Sequence, residues 1–374
     1  MNSDLDALKK IRRDLHTIPE LAGEEKETRA YIERFINRNT LNIDIVHNSP
    51  LGLIARSFKD NGSPVIAFRA ELDGLPIKDT KSVSYASIHN GKSHACGHDV
   101  HMAILLQLIK FVDSTEFPLN CIFVFQSGEE VFAGAKDLAV VLKEFNIDFM
   151  YSLHVAPNLP ARYFSFSSDL MLASNLTAEL EIGLNQGHSA EKNDFLKFFS
   201  YIENLQRSYN SQNQIFKVTH VETNGYYNIT PSKLKLYCNF RGTKLEDTVN
   251  DYEMLLKNIS ECNLIKGVNS SEIISKYPPL KNNDELNNLT KTVIAKAFGK
   301  QFILKCPFLL SSDDFSYYDL ILDNVKTCYF FIGSYLDSKI EVHKENFDVD
   351  ENCLFYGYNA YVTILKSLCN NLVY

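Results

Sequence analysis

A chain of 374 residues exceeds what one ordinary hydrophobic core supports, so two domains are expected. Its 45% hydrophobic and 22% charged residues are those of an ordinary globular protein, and a formal charge of −8 speaks against a nucleic-acid partner, which requires a basic face. No apolar run reaches the roughly 18 residues of a membrane span, and the eight cysteines show no repeated spacing, so a cytoplasmic protein with free thiols and no membrane partner is expected.

The N-terminus lacks a signal-type apolar stretch and reads as an amphipathic helix with Leu5, Leu8, Ile11 and Leu15 on one face. A second helix is predicted over 24–38, then strands over 43–47, 51–56 and 64–69. Helix-period residues Ile104, Leu105, Leu108 and Ile109 follow a knot of ligand-type side chains, His94-Ala95-Cys96-Gly97-His98-Asp99-Val100-His101. The all-apolar run Cys121-Ile122-Phe123-Val124-Phe125 predicts a strand covered on both faces. A helix over 134–145 leads to a strand over 149–155. This alternation is that of a mostly parallel α/β sheet. Asp73, the pair Glu129-Glu130 and His154 all fall at or just past strand C-termini, the edge where such sheets bind ligands.

Between about 173 and 280 the character changes. The predicted order is strand 175–184, helix 191–208, strands 214–222 and 232–241, helix 246–262 and strand 273–277. This βαββαβ order predicts an inserted ferredoxin-like α+β module. After Pro278-Pro279 the first pattern resumes, with a helix over 284–298, a strand over 327–332, His343 and a final helix over 349–370. The expected division is therefore 1–172 and 281–374 for one α/β domain, with 173–280 as the insert.

Cys96-x-His98 joins a thiolate and an imidazole, a pairing suited to zinc and related ions. Spacing leaves open which of His94, His98 and His101 ligates. Of two adjacent carboxylates, one can hold a metal while the other moves a proton, which points to metal-assisted hydrolysis. Both glutamates serve only if the strand before them has ended and turned, and Gly128 suits such a turn.

Seven blocks, in order, carry a resemblance. They are His16-Thr17-Ile18-Pro19-Glu20-Leu21, Arg69-Ala70-Glu71-Leu72-Asp73-Gly74-Leu75-Pro76-Ile77, the 94–101 knot, Phe125-Gln126-Ser127-Gly128-Glu129-Glu130, His154-Val155-Ala156-Pro157, Ser312-Asp313-Asp314-Phe315-Ser316-Tyr317-Tyr318 and His343-Lys344-Glu345-Asn346-Phe347-Asp348. The chain resembles the N-acyl-amino-acid amidohydrolases among the di-metal peptidases: aminoacylases, hippurate hydrolases, auxin-conjugate hydrolases and N-acetyldiaminopimelate deacetylases. The resemblance implies a metallopeptidase-type catalytic domain whose insert is a lid. It also implies that Cys96, His98, Glu130, His154 and His343 bind two divalent cations, manganese or zinc, with Glu129 as general base and Asp73 orienting a ligand.

The same resemblance implies cleavage of the amide of an N-acyl amino acid by a water that the cations activate. His188, in Gly187-His188-Ser189-Ala190, is expected to aid catalysis, Asn228 and Arg241 to meet the substrate carboxylate, and the lid to form a homodimer. The chain departs from the family pattern at Glu71, Ser127-Gly128, Val131-Phe132, Lys192-Asn193 and Asp313, none of them an implied ligand or the base. Two alternatives keep the site or the fold: a dipeptidase, aminopeptidase or carboxypeptidase, and a non-catalytic binder of acylated amino acids.

Overall fold

The structure is a computed structural model, and it describes residues 2–59, 62–115, 117, 119–190, 195–337 and 339–371. The Lys192-Asn193 departure lies outside them. The chain divides into two compact units, Met1–Asp169 with Asn282–Pro307 and Tyr317–Tyr374, and Leu170–Lys281 with Phe308–Ser316.

The first unit opens with helices α1 (Asn2–His16) and α2 (Lys26–Asn39) and strands β1 (Asp44–Ser49), β2 (Gly52–Ser57) and β3 (Val65–Glu71). Helix α3 (His98–Ser114) and strand β4 (Asn120–Gln126) follow, then the short helix α4 (Glu129–Phe132), α5 (Ala135–Leu142), β5 (Phe149–Pro160) and β6 (Phe164–Phe166). Its order in the sheet is β1-β2-β4-β3-β5, completed by later strands. In β3 and β4 every residue is buried, as a strand covered on both faces requires. Arg69 and Glu71 inside β3 are tolerated because they pair with each other, and Arg69 also donates to Gln126.

The second unit carries β7 (Leu170–Leu172), β8 (Ser174–Gly183), α6 (Phe195–Tyr209), β9 (Ile215–Thr223), β10 (Lys233–Gly242), α7 (Leu245–Ser260), β11 (Gly267–Tyr277) and β12 (Leu280–Lys281). Its main sheet runs β11-β8-β10-β9, antiparallel throughout. Counted by chain position within the βαββαβ module, that is the ferredoxin-like order. Alternate residues of β8 and β10 are buried, among them Leu180, Leu234 and Phe240, and they pack with Phe198 and Leu255 of the two helices.

The chain re-enters the first unit with α8 (Asp284–Phe298), β13 (Ile303–Lys305), α9 (Ser316–Ile321), β14 (Lys326–Tyr335) and α10 (Asn352–Asn371). Strands β14, β6 and β13 extend the sheet beyond β5 to eight strands. The central four, β4-β3-β5-β14, are parallel, and antiparallel pairs occur only toward the two edges. The expectation of a mostly parallel sheet therefore holds. The short edge strands β6 and β13 are additions to it.

Phe308–Ser316 departs from the expected division, because it groups with the second unit. The reason is backbone pairing: the Ala173 N–H is accepted by Leu309 O and Ser311 O at 3.1 and 2.9 Å. Among the described residues no helix is long and apolar enough to cross a membrane. All eight cysteines are free.

Candidate metal centre

The candidate donors of the first unit converge at the C-terminal edge of its sheet. Strand β3 ends at Glu71 and delivers Asp73 two residues on. Gly97, in the left-handed region at φ +90°, reverses the chain so that Cys96 precedes α3 and His98 begins it. Gly128, at φ +72°, ends the run from β4 and turns Glu129 and Glu130 into the first turn of α4. Contrary to expectation His154 lies within β5 and not at its end, because the strand runs on to Pro160, and His343 is held beside this loop by its N–H, which donates to Ala95 O at 2.8 Å.

Two donor sets share one atom. Sγ of Cys96 groups with His98 and His154, and again with Glu130 and His343, with all donor atoms of each set within 4.8 Å of one another. Cys96 Sγ is 3.4 Å from His154 Nε2, and Glu130 Oε1 is 3.4 Å from His343 Nε2 and 4.0 Å from His98 Nε2. A third set joins His98 to Glu129 and Glu130. The five predicted ligands and the predicted base are thus brought together within one unit.

Hydrogen bonds explain why these nitrogens are the available ones. His98 Nδ1–H donates to Asp73 O at 2.8 Å, leaving Nε2 buried and without a hydrogen-bond partner. His154 Nδ1–H donates to Val155 O at 2.8 Å and so turns Nε2 toward the thiol. Such partners fix the tautomer a metal ligand needs. His101 is excluded as a ligand, because Nδ1 is bound to Glu71 at 2.7 Å and Nε2 accepts the Val155 N–H at 3.0 Å. His94 belongs to none of the donor sets. It is buried near His16, and burial lowers it to about 3, which keeps it neutral.

The electrostatics suit a cation. Burial, then Glu130 and Glu129, push the Cys96 thiol well above its usual range. Burial opposes charge on His98, but Asp73 and Glu71 outweigh it and raise the imidazole to about 10. Burial likewise opposes ionisation of Glu130, but His343 and His98 bring it down to about 2. Burial lowers His154 to about 3, with His101 adding to the effect. Acids and unpartnered donor atoms thus face a common space, with Glu130 Oε1 and His98 Nε2 both buried and unsatisfied. A thiol, imidazole and carboxylate set of this kind fits divalent cations.

Two further contacts hold the site. Asp73 Oδ2 accepts the Glu130 N–H at 2.9 Å, so Asp73 braces both His98 and the Glu129-Glu130 turn. Glu25 Oε1 accepts the Gly128 N–H at 2.9 Å. Sequence reasoning missed Glu25, since an acid just before a helix reads as a solvated N-terminal charge. His188, Asn228 and Arg241 lie in the second unit. The His188 loop pairs with the Asn228 segment through Ser189 N–H to Asn228 O at 3.0 Å. Arg241 is not with them: it lies at the far end of β10, roughly 26 Å along the strand from Lys233. There it donates to Asn239 Oδ1 and Leu310 O.

Comparison with known proteins identifies the family. A model of the peptidase family M20/M25/M40 matches residues 67–367. N-acetyldiaminopimelate deacetylase of Leuconostoc mesenteroides is 27% identical over 371 residues, covering 94% of this chain and 95% of the relative. The enzyme of the same name from Oceanobacillus iheyensis is 28% identical over 382 residues, covering 96% and 99%. A Bacillus subtilis structure described as a dinuclear metal-binding peptidase of the M20 family superposes with a TM-score of 0.76 at 22% identity, over 99% of each chain. The chain belongs to the peptidase family M20/M25/M40 and is a hydrolase of amide C–N bonds.

Proposed function

We propose that the protein is a di-metal amidohydrolase that releases the acyl group of an N-acyl amino acid. The observation that carries this reading is the pair of donor sets sharing Cys96 Sγ beside a carboxylate. Cys96, His98, Glu130, His154 and His343 would hold the two cations, Cys96 being the donor common to the His98–His154 set and the Glu130–His343 set. When bound, divalent cations polarise the amide carbonyl and acidify water.

The chain's own residues do the rest. Glu129 takes a proton from the attacking water and gives it to the departing amine, as a general base and then acid. Asp73 keeps His98 and Glu130 in register through the contacts described above. His188 is proposed to donate to the oxyanion, and Asn228 and Arg241 to meet the substrate carboxylate. Because His188 and Asn228 sit at the opposite end of β10 from Arg241, one chain does not present all three together. That supports a homodimer that shares residues between its sites. Mixing the inactive variants His188→Ala and Glu129→Gln should then restore part of the activity, and sedimentation should give a dimer.

The deacetylases among the relatives favour an N-acetylated amino acid such as N-acetyldiaminopimelate. The test is a panel of N-acetyl and N-benzoyl amino acids, N-acetyldiaminopimelate and free dipeptides, assayed with manganese or zinc at full loading. Turnover of acylated amino acids above that of dipeptides is expected. Preference for free dipeptides would move the assignment to a peptidase, and no turnover on any would sink the catalytic reading.

A further inference from the structure

Glu25 is 1% exposed, its carboxylate accepts the Gly128 backbone N–H, and among the described residues it forms no ion pair. Burying an acid without a cationic partner costs stability. Burial and the neighbouring Asp73 accordingly raise it to about 7. Burial alone therefore gives no reason for a polar side chain here, and the contact with the Gly128 N–H supplies one, the need for an acceptor oxygen.

Glu25 Oε1 takes the Gly128 N–H, one residue before Glu129, and Asp73 Oδ2 takes the Glu130 N–H, one residue after it, each at 2.9 Å. Helix α4 has only four residues and no capping side chain. A helix that short does not hold its own direction, so outside acceptors must set it. The segment that carries Glu25 is anchored for this. Gly74 N–H donates to Glu20 O at 2.7 Å, tying that segment to the loop bearing Asp73. Gly23, at φ +81°, turns the segment so that it lies against the Phe132 ring at the end of α4.

We propose that Glu25 is a positioning residue that, together with Asp73, grips the N–H groups on either side of Glu129 and so fixes the direction of the base. The inference rests on the reading of Glu129 as general base. A neutral amide oxygen serves the same grip, whereas an aliphatic side chain does not.

The test compares Glu25→Ala, Glu25→Gln and Glu129→Gln with the wild type, at a metal content verified by elemental analysis, on an N-acetyl amino acid that the wild type cleaves. Glu25→Ala should lose about 10- to 100-fold in kcat, with KM and bound metal nearly unchanged, and Glu25→Gln should stay within about threefold of the wild type. If Glu25→Ala keeps wild-type kcat while Glu129→Gln is inactive, the grip is overturned and the base assignment stands. A loss in Glu25→Ala traced to missing metal also overturns it, as does a Glu25→Gln variant as impaired as Glu25→Ala. Full turnover by Glu129→Gln removes the base assignment and this proposal together. Should Glu25→Ala fail to fold, Glu25→Met, close in length and without an acceptor oxygen, is compared with Glu25→Gln for the same decision.

Discussion

Cys96 Sγ is common to both donor sets, so its removal should cost more bound metal than removal of any one imidazole. Cys96→Ala is expected to bind less than one cation per chain, and His154→Ala to keep one, as measured by equilibrium dialysis and elemental analysis. Equal losses in the two variants would show that the thiol does not serve both sets. Candidate donor types were legible in the sequence because Cys96, His98 and the glutamate pair concentrate metal-type side chains within short motifs. The choice among His94, His98 and His101 was not. Between His98 and His101 it rests on Asp73, Glu71 and Val155, remote in sequence, which decide which ring nitrogen stays available, while His94 lies outside every donor set. His343 carries a second mark that only structure shows, a backbone φ of +61° in a non-glycine residue. Strain of that kind persists where surrounding contacts enforce it, and it clusters at functional sites.

The centre also depends on how its elements turn. A Cβ on Gly97 would come within 2.4 Å of Val155 Cγ2, next to His154, and the residue sits at φ +90°. Gly97→Ala therefore combines backbone strain with a clash that pushes β5 away from the thiol. A loss of about 1–3 kcal/mol is expected in urea unfolding, with weaker metal binding by titration. Unchanged stability would mean that the loop yields freely. The strands that hold the site were legible because β4 is an unbroken apolar run, and α3 was legible from its helix-period residues. The strands β6, β7, β12 and β13 were not. Each has three residues or fewer, too short to show a period, and forms only by pairing with a partner distant in the chain. Helix α4 escaped for the same reason, since four residues cannot display helical periodicity.

At the scale of the molecule, the change in residue character near 173 and 280 made the insert visible, but the membership of Phe308–Ser316 depends on pairing that composition does not record. Nor did the sequence reveal how the first unit joins its distant parts. Arg12 on α1 is fully buried and bonds Asp99, beside His98, at 2.7 Å and Asp348, five residues after His343, at 2.9 Å. Arg12→Met removes the buried guanidinium that joins those two acids and should cost about 3–5 kcal/mol in chemical unfolding. A second consequence concerns pH. Burial opposes ionisation of Asp99, but Arg12 and His16 outweigh it and hold the carboxyl well below its usual range. Its folded pKa lies under its unfolded one, so the stability it contributes is complete above about pH 4–5 and is lost on acidification below that. Glu25 works in the other direction. Burial and Asp73 raise it to about 7 from an ordinary 4.5, so the folded chain binds the extra proton and stability declines as pH rises from about 4.5 to 7. Glu25→Gln removes that decline while leaving the acid limb set by Asp99. Thermal midpoints of metal-free wild type and Glu25→Gln, measured from pH 4 to 9, should therefore diverge across this window, with the variant gaining up to about 3 kcal/mol at the alkaline end. The other titrating groups are common to both proteins and cancel in the difference, so parallel curves would mean that Glu25 ionises in the folded chain as readily as in the unfolded one.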